Sequence, residues 1–116
     1  SASDALSRLL GVAAKQSAIA LLPERLMTTE RGAQCTVEKV KGGWRVAAGS
    51  VCANKDPTKS FPLAAKVLAQ CWVNDGILVQ ESGHWMFSQP VLCPSLCVLA
   101  SVVLRTDGRL SHWQVA

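Results

Sequence analysis

Apolar positions along the chain keep two rhythms. From Ser3 to Leu22, the residues Leu6, Leu9, Leu10, Ala13, Ser17 and Ala20 fall at helical spacing, with Arg8, Lys15 and Gln16 off that stripe. The spacing predicts a helix over 3–22 whose first amides Ser3 and Asp4 cap. Pro23 breaks it and suits the first turn of a short helix ending near Thr28 or Thr29, with Glu30-Arg31-Gly32 as the stop. Residues 35–48 then alternate through Cys35, Val37, Val40, Trp44 and Val46, and Gly42-Gly43 between β-branched residues predicts a hairpin. Ala53 to Ser60 reads as a loop punctuated by Asp56-Pro57.

A second helix is predicted over 61–74, capped by Ser60 with Pro62 in its first turn. Phe61, Ala64, Ala65, Val67, Leu68 and Trp72 are its apolar members, Lys66 and Gln70 lie on the other side, and Asn74-Asp75-Gly76 ends it. A second hairpin follows at once: Ile77 to Gln80, a turn over Glu81 to His84, and a return through Trp85-Met86-Phe87. Cys97 to Arg105 reads as an apolar strand, Asp107-Gly108 as a tight turn, and Leu110 to Val115 as a last strand carrying Trp113. The fold class expected is α+β: two main helices packed on antiparallel β-hairpins, in a single domain over 1–116 that is a fragment of a larger protein.

Composition narrows the class further. Hydrophobic residues make up 49% and charged residues 17%, the reverse of a disordered chain. The longest apolar run, Val91 to Leu104, has 14 residues and includes Pro94 and Ser95, too short for a membrane span. Five cysteines (35, 52, 71, 93, 97) form no C-x-x-C pair and stand apart from His84 and His112, so no zinc pattern is present. Reduced, buried thiols point to a cytoplasmic location, and no cofactor is expected. The sequence holds no G-x-S-x-G, P-loop, H-E-x-x-H or G-x-G-x-x-G. No active site or small-molecule substrate is therefore expected in this chain, while the activity of the parent protein stays open.

Charge supplies the functional expectation. The net charge of +4 comes from the middle of the chain, where Lys39, Lys41, Arg45, Lys55, Lys59 and Lys66 face only Glu38 and Asp56. Clustered cations attract a polyanion, of which nucleic acid is the commonest. Trp44 lies among Lys39, Lys41 and Arg45 and is the candidate for stacking on a base; His84, at a hairpin turn, is a candidate phosphate contact. Six basic side chains converging on one patch, with Trp44 and His84 beside them, would form a DNA-binding site. The competing reading is a docking domain: abundant Val, Leu, Ala and Cys suit a face buried against other domains of the parent protein.

Two resemblances bear on this. The run from Leu68 to Phe87, a helix ending at Asp75-Gly76 that leads through Ile77-Leu78-Val79 into a Gly-containing turn and an aromatic strand, resembles the third helix and wing of winged-helix domains. That resemblance implies a helix presented to a DNA groove and a hairpin tip reaching the backbone. Over residues 31–91, the order of Thr36-Val37, Gly42-Gly43, Ala48-Gly49-Ser50-Val51, a helix and a Gly83-His84-Trp85 return is similar to the C-terminal domain of large conjugative-transfer relaxases, the nickase/helicase proteins. The first helix departs from that pattern in having no aromatic residue. The resemblance implies an accessory DNA- or partner-binding module in conjugation rather than the nicking centre.

Overall fold

The computed structural model describes residues 22–116 and shows an α+β fold of antiparallel strands and, among the described residues, two α-helices. The strands are β1 (Arg25–Thr28), β2 (Cys35–Val40), β3 (Gly43–Val46), β4 (Leu78–Glu81), β5 (His84–Phe87), β6 (Val91–Cys93) and β7 (Gln114–Val115). The helices are α1 (Leu63–Asn74) and α2 (Leu96–Leu104). Five strands form one sheet in the order β6-β3-β2-β1-β7, and β4 pairs with β5 alone. Alternation sets the faces: Cys35, Val37, Trp44, Val46 and Cys93 are buried, whereas Thr36, Arg45 and Leu92 between them are exposed. The register places Glu38 opposite both Arg25 and Arg45 on that outer face, and Arg45 Nη2 meets Glu38 Oε2 at 2.9 Å.

The two sheets are joined by residues 49–53. Val51 bridges Gln34 on one side and Met86 on the other. Phe87 donates its amide to the Ser50 carbonyl (2.8 Å) and accepts from the Gly49 amide (2.7 Å), and Cys52 donates to the Trp85 carbonyl (2.8 Å). One core therefore runs from the large sheet through α2 to α1 and the β4–β5 hairpin, with Trp72 and Phe87 packed edge to face at 5.6 Å.

Several expectations hold, with adjustments. Both hairpins form, and α1 lies where the spacing placed it, although Pro62 rather than Ser60 occupies the N-cap and no side chain caps it. Between β4 and β5 the turn residues Ser82 (φ 54°) and Gly83 (φ 81°) both take left-handed backbone, the geometry that matches strand twist. The first predicted helix, over 3–22, lies outside the described residues except for Leu22.

Three expectations are corrected. Arg25–Thr28 is a strand, not a short helix: it pairs with β2 and β7, burying Leu26 and Thr28 on one side. Cys97 to Arg105 is helical rather than extended. Ser95 Oγ accepts from the Val98 amide (3.3 Å) at the N-cap, and seven of the nine residues of α2 are buried. A run apolar on all sides carries no period, so alternation could not decide between strand and buried helix. Leu110 to Val115 is split between a 3-10 turn (Leu110–His112) and the two-residue β7, because Trp113 turns inward to donate its Nε1 to the Leu96 carbonyl at 3.0 Å.

Candidate nucleic-acid interface

The six predicted cations divide between opposite ends of the fold. β2 advances about 17 Å from Cys35 to Val40 at the usual rise of a strand. Lys39, Lys41 and Arg45 belong to its far end, at the β2–β3 turn. There Lys39 Nζ donates to the Leu22 carbonyl (3.1 Å), and Arg45 is paired with Glu38. Near the start of β2, a second group assembles around the loop 53–60. Arg31 donates Nε to the Leu104 carbonyl and Nη2 to the Asp56 carbonyl, both at 2.8 Å. The Thr58 amide donates to the Arg105 carbonyl at 3.0 Å, and the Thr58 and Thr106 hydroxyls meet at 2.8 Å.

These bonds tie the loop bearing Lys55 and Lys59 to the C-terminal end of α2. Lys66, in the first half of α1, sits over the Phe61 ring at 5.7 Å and borders the same cavity as Arg105. Arg31, Lys55, Lys59, Lys66 and Arg105 thus occupy one end, and among the described residues none of them is in an ion pair. The exposed carboxylates of this end include Asp56 and Glu81, with Glu30 beside Arg31 and Asp107 two residues after Arg105; Glu30 lies 3.7 Å from His112 and Asp107 4.0 Å from Arg109. Antiparallel pairing of β5 with residues 50–52 aims the Ser82-Gly83 tip in the same direction.

So the loop that carries Lys55 and Lys59 is tied to the end of α2 that shares a cavity with Lys66, whereas Lys39, Lys41 and Arg45 belong to the β2–β3 turn. Trp44 is a correction: at 3% exposure its ring is core, facing Cys93 across the β3–β6 pair, and offers no face to a base. His84 opens β5 half-buried at the hairpin tip, and its Nδ1 is a buried atom without a hydrogen-bond partner. Arg31 and Arg105 were missed as members. Arg31 sits in a 3-10 turn at φ 54°, and Arg105 is the left-handed C-cap of α2 at φ 59°. For Arg105 the available signal was a basic residue directly after an apolar run, legible only once that run is known to be a helix; Arg31 carried no such signal.

Between α1, α2 and the β4–β5 hairpin lies a cavity of about 190 Å³, floored by Phe61, Leu78, Trp85 and Val102 and edged by Lys66, Gln70 and Arg105. Cys52 borders it. Burial pushes the Cys52 thiol up to about 12, reinforced by the nearby Cys35 and opposed by Arg105. Burial likewise pushes Cys35 up to about 12 against a hydrogen bond from Ser50, and it raises Cys93. Thiols this hard to ionise are poor nucleophiles. A thiol reagent should label Cys71 and Cys97 rapidly at neutral pH, and Cys35, Cys52 and Cys93 only after unfolding.

The sign of the pH effect follows. An unfolded thiol ionises near 9, while folded Cys35 and Cys52 hold their protons to about 12. Stability is therefore full below pH 9 and falls as pH climbs from 9 to 12, by about tenfold in the unfolding equilibrium per pH unit per thiol. Urea titrations of Cys35→Ala and Cys52→Ala across that range should show a shallower decline than the unsubstituted chain.

No family model matches this chain, and neither the curated proteins nor the solved structures contain a match. Among the described residues no helix is long and apolar enough to cross a membrane, and no three His, Cys, Asp or Glu side chains are grouped as metal ligands.

Proposed function

We propose that this chain is a nucleic-acid-binding accessory module, most simply for DNA, that grips phosphates with the end formed by the loop 53–60. The observation that carries this reading is the gathering of Arg31, Lys55, Lys59, Lys66 and Arg105 without ion-pair partners among the described residues. A winged-helix-like use fits the arrangement, since the first half of α1 and the tip of the β4–β5 hairpin share that end. Service as a C-terminal accessory domain of a conjugative relaxase, in the cytoplasm and beside the other domains of its parent protein, is the setting the resemblance supports.

Fluorescence anisotropy with labelled DNA tests this. With four phosphates contacted, affinity should fall by about 100-fold between about 50 and 200 mM salt. The triple substitution Lys55→Glu, Lys59→Glu, Lys66→Glu should abolish binding, while Lys41→Glu with Arg45→Glu should change it little. Salt-independent binding, or equal loss from both ends, would overturn the proposal.

A second reading, a protein-docking domain, is favoured by one feature: Leu63 and Val67, four residues apart on α1, are 74% and 55% exposed. Leu63→Gln with Val67→Gln, which adds no charge beside Lys66, should leave DNA affinity intact if phosphates are the partner, and should break partner capture if docking is the role.

A further inference from the structure

We infer that the cavity between α1, α2 and the β4–β5 hairpin takes one unstacked pyrimidine base of a single strand whose flanking phosphates lie on Lys66 and Arg105. The inference rests on the phosphate-gripping reading of this end and names its substrate class. Size is the first argument. An apolar protein cavity of about 150 Å³ holds benzene. At about 190 Å³ this one has room for a single six-membered ring, and a fused purine is the poorer fit.

Chemistry is the second argument. Phe61 and Trp85 are both half-buried and line the cavity, giving aromatic surface for a π-face. Gln70 stands at the edge. Its Nε2 donates to Asn74 Oδ1 at 2.9 Å, which leaves Oε1 to accept from a ring N–H or an exocyclic amine. Lys66 is held at the mouth over Phe61, and the side chain of Arg105, across the same opening, has no ion pair among the described residues. An apolar slot with two cations on its rim matches a nucleotide, whose ring and phosphate lie side by side. A duplex keeps its bases stacked inside, so such a slot selects a strand with free bases.

The test is anisotropy at constant salt with four labelled probes of one length: oligo-dT, oligo-dA, a duplex and an abasic strand. Oligo-dT is expected to bind at least about tenfold tighter than the duplex or the abasic strand, and tighter than oligo-dA. That margin is within the range stacking of single bases provides. Trp85→Leu and Ala69→Leu, which remove the aromatic wall and fill the slot from α1, should bring oligo-dT down to the level of the abasic strand. The salt-dependent remainder should persist in both variants.

Equal, salt-dependent affinity for all four probes would overturn the base slot and leave the phosphate grip standing. No binding to any probe would overturn both. A free nucleotide offers the same ring and phosphate, so thymidine 5′-monophosphate is titrated alongside. Oligo-dT binding more than tenfold tighter supports a strand as the occupant, and equal affinity overturns it.

Discussion

Gly108→Ala is expected to destabilise the fold severely. A β-carbon at this position would collide with the Ser101 nitrogen and come within 2.5 Å of the Cys97 oxygen and 2.7 Å of the Ala100 carbonyl carbon. All three are main-chain atoms of α2, a helix buried on nearly every side, so no rotamer change relieves the clash. The approach is held by a specific bond: the Gly108 amide donates to Ser101 Oγ at 2.8 Å, and that hydroxyl donates to the Cys97 carbonyl at 2.9 Å. Pushing the 107–109 segment away leaves a buried hydroxyl half-satisfied and separates Trp113 from its acceptor on Leu96.

The expected cost is about 3 kcal/mol or more, a large part of the roughly 5–15 kcal/mol that holds a domain of this size. Gly49→Ala provides the contrast. Its β-carbon meets nothing within 4 Å, and only its φ of +87° opposes the change. That strain alone costs about 1–2 kcal/mol. Urea midpoints for the two variants should therefore differ clearly, and similar midpoints would mean that α2 yields to the intruding methyl.

The second large effect is expected at Phe87→Ala, at about 3–5 kcal/mol. Phe87 is fully buried and packs edge to face on Trp72, where α1, the hairpin and the large sheet meet. Its backbone bonds to Gly49 and Ser50 survive the substitution, so the loss is of packing rather than of strand pairing. Because the ring belongs to the one core, unfolding followed by tryptophan fluorescence and by far-ultraviolet circular dichroism should shift together. A fluorescence transition running ahead of the other would show the hairpin and α1 unfolding separately from the sheet.

The local signals in the sequence were strong at some places and mute at others. Alternation around Gly42-Gly43 and around the Ser82-Gly83 turn was enough to place both hairpins, because a turn residue and a period of two act over a few residues. Asp107-Gly108 was legible as a glycine but for the wrong reason. Its value lies in the approach to the α2 backbone, a contact with residues about ten positions earlier, and not in a hairpin turn. Arg25–Thr28 has no strong period, and its strand character comes from lying between β2 and β7.

The candidate site divides along the same line. The charge excess of the middle third and the identity of Lys55, Lys59 and Lys66 were in the sequence, as was the pairing of a helix with a following hairpin. Trp44 shows the limit: its neighbours Lys39, Lys41 and Arg45 suggested an exposed ring, but strand pairing turned it to the face shared with Val46 and Cys93.

What the sequence determined by itself is the α+β class, the two hairpins, the helix over Leu63–Asn74 and the number of cations, since each depends on residue type and near-neighbour spacing. Tertiary structure alone decided that α2 is a helix, that Lys39, Lys41 and Arg45 lie a strand's length from Lys55, Lys59 and Lys66, and that Arg31 and Arg105 join the latter. The physical reason is that charge and apolar content are properties of single residues, whereas convergence depends on which carbonyls and strand edges remain to be satisfied once the core has closed.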